Sequence, residues 1–298
     1  MKTENNSQQK PMSAAIERIP LGAGLHVVAT PIGHLGDVTL RALATLNSAD
    51  FVLCEDTRVT RKLLDRYGLA PKLLAYHEHN AASVRPKILA ELAAGRAVAL
   101  VSDAGTPLVS DPGYKLVAEA LDAGFRVHPV PGASALLAAL VSAGLPTDRF
   151  FFEGFLPAKA GQRKKRIAEL KEILSTLIFY ETGPRLAESL RDLADAFGAR
   201  KAAVCRELTK AFEETRRGTL DELASHYNES GAPKGEIVIV VSPPDSSENI
   251  STEELDEKLL RALKRGSLKD AVAEVTEETG MKRREVYARA LVLAEEKD

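Results

Sequence analysis

Short apolar runs alternate with helical stretches along the first half of the chain, and this alternation limits the possible folds more than any other feature. The pattern predicts strands over residues 25–30, 51–55, 73–76, 97–103 and 125–130. It predicts helices over residues 39–47, 59–67, 82–94, 113–123 and 133–143. Strands joined by helices of this length form a mostly parallel sheet with helices on its faces. The carboxyl ends of such strands share one edge, where open sheets bind ligands.

A second alternation follows the first. Its strands are predicted over residues 149–155, 176–181, 202–207, 213–220 and 235–241, with a basic helix over 162–174. The strands 202–207 and 213–220 have no long helix between them, so part of this second sheet is expected to be antiparallel. We therefore predict two α/β domains, over residues 21–145 and 146–241.

The remaining segments differ in composition from these two domains. Residues 1–20 are polar and are predicted to form a disordered tail, and residues 242–251 have the composition of a linker. Residues 252–298 are helical in pattern, with a break at Thr279-Gly280 that is typical of a helix-turn-helix. The charge of this helical extension is nearly balanced, so docking on protein and contact with nucleic acid are both consistent with it.

The composition narrows the class of protein. With 45% hydrophobic and 28% charged residues, the chain is expected to be a soluble globular protein. No apolar run is long enough to cross a bilayer, and the polar N-terminus lacks the apolar segment of a signal peptide. The two cysteines, Cys54 and Cys205, predict a reducing cytoplasm and no disulfide framework. A net charge of −2 argues against indiscriminate coating of nucleic acid but permits a local basic patch.

Five loops with polar or glycine residues follow the strands of the first sheet and predict a binding site at its edge. They cover residues 30–37, 54–58, 76–80, 102–107 and 130–135. In the loop SDAGTP, Gly105 permits a positive φ or the close approach of a ligand, while Pro107 fixes the backbone. No G-x-G-x-x-G follows these strands and the chain has no G-x-x-x-x-G-K-[ST], so the ordinary dinucleotide and P-loop interpretations fail. The interpretation that remains is a small ligand held through backbone groups of these loops.

Longer motifs give the chain a specific resemblance. The segments VVATPIGHLGDVTLRAL, CEDTRVTRKLL, ALVSDAGTPLVSDPGY and VPGASALLAALVSAGLPTDRFFFEGFLP resemble those of the tetrapyrrole methylase-fold family. The resemblance covers residues 25–241, and the helical extension is similar to that of a branch that methylates the ribose 2′-oxygen of a cytidine in 16S ribosomal RNA. It implies S-adenosylmethionine as methyl donor, a donor cleft between two α/β domains, and a homodimer. The implied partner is 16S ribosomal RNA or the small ribosomal subunit, with no membrane partner.

Two segments depart from the family pattern. His34 stands where such sequences usually carry Asn, which bears on the geometry of the donor site. The segment ETGPRL at 181–186 replaces a more usual Ser-Pro-His-Arg, which bears on how RNA is held.

The resemblance implies that residues of the edge loops bind the donor. The implied donor residues are Pro31, Gly33, Asp103, Ala104, Gly105, Thr106, Pro131, Ser134 and Tyr180. Three of them have structural alternatives, since Asp103 suits an Asx-turn, Ser134 a helix N-cap and Tyr180 the core.

Methyl transfer to a hydroxyl requires a group that takes up the hydroxyl proton. The candidate catalytic residues are Glu55, Asp56, Arg58, Glu78 and His79, and all but the arginine are candidate bases. Asp56 is nearly as well suited to cap the following helix. The segment HEHN resembles a zinc motif, but no third convergent ligand is visible and we predict no metal.

Basic residues in the second half form the candidate RNA-binding surface. They are Lys159, Arg163, Lys164, Lys165, Arg166, Arg206, Lys210, Arg216 and Arg217. Their concentration in a chain of negative net charge suits a phosphate backbone, with a solvated helix face as the alternative. These residues and the helical extension favour an RNA methyltransferase over a methylase of tetrapyrroles or other small molecules. They also leave open a non-enzymatic ribosome-assembly module, which would not need five convergent loops.

Overall fold

The computed structural model describes residues 16–111, 113–244, 252–279, 281 and 283–295. Most of the predicted tail and most of the predicted linker therefore lie outside the described residues. The end of the predicted tail rests on the first helix, because the Ile16 carbonyl accepts from Asn47 Nδ2 at 2.8 Å. The Ile19 N–H also donates to Ser48 Oγ at 2.8 Å.

The first sheet has five strands, and every pair is parallel, where the sequence predicts a mostly parallel sheet. The strands are β1 (Gly24–Val28), β2 (Phe51–Cys54), β3 (Leu73–Ala75), β4 (Ala97–Leu100) and β5 (Val127–Val130), in the order β3-β2-β4-β1-β5. The helices between them are α1 (Leu40–Ser48), α2 (Thr57–Arg66), α3 (Glu78–Ala93) and α4 (Tyr114–Asp122). Because β1 pairs with both β4 and β5, the loops that follow these three strands lie side by side.

Helix α3 begins four residues earlier than the pattern predicts. A capping box forms its first turn, in which the His77 N–H donates to Asn80 Oδ1 at 2.9 Å. The usual third residue of a capping box is Glu or Gln, so Asn80 gave no helix signal in the sequence.

The second sheet is mixed, which confirms the expectation that part of it is antiparallel. Its strands are β6 (Phe150–Phe155), β7 (Thr176–Thr182), β8 (Lys201–Arg206), β9 (Glu214–Thr219) and β10 (Glu236–Val241), in the order β6-β7-β10-β8-β9. Strand β6 is parallel to β7 and the other pairs are antiparallel. One face is covered by α6 (Ala160–Leu170), α7 (Gly183–Phe197) and α8 (Leu220–Ser230).

The opposite face of the second sheet is covered by α5 (Ala135–Ala143), which follows the first sheet in the chain. Leu136 and Leu140 of this helix pack in one apolar cluster with Val238 and Val240 of β10. The intervening Ile239 of β10 belongs to the cluster on the other face, as the two-residue period of a strand requires. Helix α5 therefore ties the loop after β5 to the second sheet.

The helical extension has a core of its own. It consists of α9 (Thr252–Leu263), α10 (Leu268–Thr279) and α11 (Arg283–Glu295). Leu259, Val272 and Val286, one from each helix, are fully buried together. Helix α10 ends at Thr279, where the sequence predicts the break. In the described part of the chain, no helix combines the length and the apolar character needed to span a membrane.

Candidate active site

Three loops are joined at the carboxyl edge of the first sheet. Thr30, after β1, and Gly105, after β4, exchange two backbone hydrogen bonds of 2.8 and 3.1 Å. The Thr106 hydroxyl then donates to the Ala133 carbonyl, after β5, at 3.1 Å. Gly105 adopts a φ of +78°, and a Cβ there would lie 3.2 Å from Ile32 Cγ2. The glycine in SDAGTP is thus required by both the backbone angle and the close packing of the loops.

A cavity of about 210 Å³ lies between these loops and the second sheet. Of the residues predicted to bind the donor, its lining contains Ala104, Gly105, Thr106, Ser134 and Tyr180. We call it the inter-sheet cavity. The second sheet contributes Ile237 of β10 and Tyr180, whose ring contacts Phe152 and Phe155 edge-on at centroid distances of 4.9 and 5.6 Å. Ser134 is the N-cap residue of α5 but makes no side-chain capping bond there.

The other predicted donor residues lie in a neighbouring hollow. Pro31, Gly33 and Asp103 line this second space of about 240 Å³. It shares Ile32, Ala104 and Glu236 with the inter-sheet cavity. Pro131 is exposed and lies outside the described lining of both spaces.

His34, the first departure from the family pattern, serves a local structural role. Its Nδ1 accepts from the Gly36 N–H at 3.1 Å, which caps a short turn in the way that Asn also does. Its own N–H donates to Thr209 Oγ1 of the second domain at 3.0 Å, so the loop after β1 is fixed to the opposite wall.

Two acidic residues of the predicted site serve first to shape the loops. Asp103 Oδ1 accepts from the Asp56 N–H at 3.0 Å, which joins the loops after β4 and β2. Asp56 caps α2 through the Arg58 N–H at 2.8 Å and forms an ion pair with the Arg58 guanidinium at 2.6 Å. These bonds lower the pKa of Asp56 to about 2. A carboxylate of that acidity is a poor base at neutral pH, so the capping alternative fits Asp56 better.

The remaining candidate bases differ in their surroundings. Glu55 is half-buried, and burial, followed by the negative charge of Asp103, raises its pKa. Glu78 and His79 are exposed in the first turn of α3, and the rings of His79 and His77 lie 6.0 Å apart. Within the residues described, no three His, Cys, Asp or Glu side chains are grouped to hold a metal ion.

The basic helix α6 offers fewer free cations than its sequence suggested. Lys159, Lys164 and Lys165 are exposed. Arg163 is only 3% exposed, and its Nε donates to Asp192 Oδ2 at 2.6 Å. The Arg163 guanidinium is buried against a carboxylate of α7, which fits a structural role better than the predicted contact with RNA. Arg166 is bound through two bonds of 2.7 Å to Glu153.

The basic residues after β8 are also bound to groups of the protein. Lys210 Nζ lies 2.7 Å from Glu207 and 2.8 Å from Glu236, and Arg206 and Arg216 both pair with Glu214. Arg217 donates to the Ala143 and Ser142 carbonyls at the end of α5. The Lys210 ammonium is neutralised by two carboxylates, so it offers little attraction for a phosphate.

Three carboxylates of the inter-sheet cavity were not predicted from the sequence: Asp111, Glu181 and Glu236. Glu181 is 3% exposed and accepts from Ser189 Oγ at 2.5 Å and from the Thr182 N–H at 2.8 Å. Its position at the end of β7, within the departing segment ETGPRL, was the available signal. Burial, followed by the charge of Glu55, raises the pKa of Asp111 to about 6.

The fold and the site define a methyltransferase class. The profile of the tetrapyrrole (corrin/porphyrin) methylases matches residues 24–224, and that of the RsmI C-terminal HTH domain matches residues 249–294. Among solved structures, a uroporphyrin-III-C-methyltransferase of Thermus thermophilus aligns with a TM-score of 0.54 at 21% identity, over 73% of this chain and 94% of that one. A cobalt precorrin-4 methyltransferase aligns with a TM-score of 0.55 at 18% identity, over the same shares. At these identities the solved structures show the fold alone.

Sequence relatives show to which branch of this methyltransferase class the chain belongs. A protein of Mesorhizobium japonicum is 54% identical over 92% of this chain and 93% of its own length. Others from Pseudomonas aeruginosa and Halalkalibacterium halodurans are 46% and 41% identical, over 90% and 96% of this chain and 96% and 98% of their own lengths. All three bear the name ribosomal RNA small subunit methyltransferase I. The chain therefore belongs to the ribosomal RNA small subunit methyltransferase I family, and the resemblance read from its motifs is confirmed.

Proposed function

We propose that this chain transfers the methyl group of S-adenosylmethionine to the ribose 2′-oxygen of a cytidine in 16S ribosomal RNA. The observation that carries the proposal is the identity of 41–54% to proteins named ribosomal RNA small subunit methyltransferase I, over nearly the whole chain. The helical extension is part of that similarity, whereas the tetrapyrrole methylases of known structure share the fold at 18–21% identity. A small-molecule methylase is accordingly the weaker alternative.

The inter-sheet cavity fits the methyl donor chemically. Gly105 keeps its rim free of a side chain, and the Ser134 hydroxyl, not engaged in capping, is available to a ligand. Tyr180 and Ile237 offer an apolar wall to an adenine ring. We assign Ala104, Gly105, Thr106, Ser134 and Tyr180 to the donor, with Pro31, Gly33 and Asp103 in the adjoining hollow.

The donor supplies a methyl group on a sulfonium, which is an activated leaving group and needs no metal. What the protein adds is orientation of the acceptor and removal of its proton. The start of α5 and the second sheet form one wall of the cavity. Among the bases predicted from sequence, Glu55 suits proton uptake better than Asp56, because its pKa is raised while that of Asp56 is held near 2.

The RNA surface of this proposal is smaller than the sequence suggested. The exposed lysines of α6 and its N-cap, Lys159, Lys164 and Lys165, remain its centre. Contacts of this type act on phosphates and carry no base specificity. Selection of the cytidine is then the task of the site edge and of the helical extension, with the small ribosomal subunit as the partner.

A homodimer and a cytoplasmic location complete the proposal. Leu137 and Val141 lie one turn apart on α5 and are 48% and 76% exposed, which gives an apolar strip suited to a second copy. The two thiols, Cys54 and Cys205, are free and buried, as expected in a reducing compartment. Light scattering of the purified chain tests the dimer.

The activity is tested with purified protein, S-adenosylmethionine and small ribosomal subunits from a strain that lacks this chain. Mass spectrometry of the digested RNA should show 2′-O-methylcytidine, which differs from base-methylated cytidine in its fragmentation. Methylation of a base alone, or methylation of a tetrapyrrole in a parallel assay, contradicts the proposed function.

A further inference from the structure

Asp111 occupies a position that no other described residue shares. It lines the inter-sheet cavity and also lines a third space of about 460 Å³, which we call the outer cavity. The outer cavity is bounded by the start of α3 and the start of α4, and Tyr180 does not belong to its described lining. Asp111 is therefore the described residue at which the two spaces meet.

The backbone before Asp111 adopts unfavourable angles to place the residue between the two cavities. Leu108 has a φ of +76° and Ser110 a φ of +61°, although neither is a glycine. Such angles persist where the surroundings over-determine them, and they are common at functional sites. Here the surroundings include β6, because a Cβ on Gly154 would lie 2.9 Å from Ser110 Oγ. The second sheet thus seats the loop that carries Asp111.

The groups around Asp111 shift the pKa of its carboxyl into the range that suits a general base. Two carboxylates act on it, Glu55 after β2 and Asp103 after β4, along with the Ser102 hydroxyl and, across the inter-sheet cavity, Tyr180. Burial and the charge of Glu55 raise the pKa of Asp111 to about 6, while the hydroxyl of Ser102 acts in the opposite direction. A base is most effective when its pKa is near the working pH.

The outer cavity has the residues that a ribonucleoside requires. Tyr114, the first residue of α4, is 73% exposed and presents an aromatic ring for base stacking. Lys115 beside it is exposed and can meet a flanking phosphate. Arg85 is committed to Glu119 at 2.9 Å and serves as part of the wall. A nucleotide whose base stacks on Tyr114 would lie in the same cavity as the Asp111 carboxyl.

We propose that the outer cavity receives the target nucleotide and that Asp111 is the general base for its 2′-hydroxyl. The inference rests on the proposed function and deepens it. The bond from the ribose oxygen to the methyl carbon forms as the carbon–sulfur bond breaks. The electron pair of the broken bond returns to sulfur, which becomes a neutral thioether, and the hydroxyl proton passes to the Asp111 carboxylate.

The test compares Asp111→Asn with Asp122→Asn, a matched change at the exposed far end of α4. Asp111→Asn should lower single-turnover methylation of small subunits about a hundredfold or more. It should leave the calorimetric affinity for S-adenosylhomocysteine and the affinity for RNA within about threefold. The wild-type rate should rise with pH up to about 6 and then level, because only the ionised carboxylate accepts the proton, and Asp111→Glu should restore part of the rate.

A second measurement follows the protonation of the carboxyl directly, independently of activity. Carbon-13 NMR of the wild-type side-chain carboxyls should show one aspartate that titrates near pH 6 and is missing in Asp111→Asn. A rate within threefold of wild type in Asp111→Asn overturns the inference, as does loss of S-adenosylhomocysteine binding, which would make Asp111 a donor residue. If Glu55→Gln loses the methylation rate and Asp111→Asn keeps it, the base is Glu55 and not Asp111. If wild-type protein methylates no ribose, the proposed function fails instead.

Discussion

Gly105 has a positive φ that favours glycine, and it also lines the proposed donor cavity. Its φ of +78° is one that an L side chain adopts at a cost of about 1–2 kcal/mol. Gly105→Ala should therefore destabilise the protein by about that amount, and the Cβ crowding Ile32 should also disturb the joined loops. We expect donor affinity to fall about tenfold or more in calorimetry.

The matched control for this change is Gly124→Ala. Gly124 has nearly the same φ, +79°, but nothing lies within 4 Å of a Cβ built there, and it belongs to the turn after α4. The control should lose stability without losing donor affinity. Equal donor affinity in the two variants would remove the loop after β4 from the donor site.

The pKa of Asp111 predicts a pH-dependent gain of stability when the carboxylate is removed. The pKa of Asp111 rises from 3.8 to about 6 on folding. The folded protein therefore binds this proton more tightly than the unfolded chain, and the fold has the full advantage of it below about pH 4. That advantage is lost as the pH rises through 6, and at pH 7.5 the ionised group destabilises the fold. Asp111→Asn should gain about 1–2 kcal/mol at pH 7.5, allowing for solvent screening, and almost nothing at pH 4. Urea unfolding at the two pH values measures the difference, and an equal loss at both would refute it.

At the scale of an element, we expect the basic residues of α6 and its N-cap to have two separate roles. The exposed lysines should bind RNA, whereas Arg163 should stabilise the fold. Lys159→Glu with Lys165→Glu should raise the KM for RNA about tenfold or more, with unchanged donor affinity and little change in stability. The effect should shrink at high salt, since phosphate contacts are screened. The same reversals at Lys72 and Lys87, exposed residues of the first domain, are the charge-matched control. An equal rise in KM in the control would place the RNA elsewhere.

Arg163→Ala on the same helix should act on stability instead. It leaves Asp192, itself 7% exposed, without its closest cation, and loss of one partner of a buried pair costs about 3–5 kcal/mol. Thermal melting distinguishes this variant from the lysine reversals. A normal melting temperature with impaired RNA binding would return Arg163 to the RNA surface.

Much of this organisation could be predicted from sequence where the signal is local. The apolar period identified the strands of both sheets, and the glycine–proline loops predicted the joined edge. Arg163 carried a signal that was overlooked: Arg163, Ile167 and Leu170 share the spacing of a buried helix face, and all three are buried. Asp111 gave no such signal, because neither the positive φ of Leu108 and Ser110 nor the closeness of Ser110 to Gly154 of β6 follows from a local sequence pattern.

At the scale of the whole molecule, the helical extension is a separate core attached to the methyltransferase body. A hollow of about 530 Å³ lies between the two, lined by Pro146 and Arg149 of the body and by Lys258 and Thr279 of the extension. Removal of residues 245–298 should therefore leave S-adenosylhomocysteine affinity within about threefold. Methylation of small subunits should fall about tenfold or more, mainly through KM. Unchanged kinetics would limit the extension to a structural role, and lost donor binding would show that the body depends on it.

The central strand of the second sheet is also its last in sequence, and this fixes the order in which the molecule can be completed. Until β10 is synthesised, β7 and β8 have no partner between them, and Leu136 and Leu140 of α5 lack the apolar face that they pack against. The wall of the inter-sheet cavity that includes Gly235 and Val238 is missing from the same intermediate. Long-range pairings of this kind form slowly, and the exposed edges invite aggregation meanwhile. Donor binding during translation would thus report that the chain has been made at least to Val241, and the ligand would act on the finished fold rather than guide its assembly.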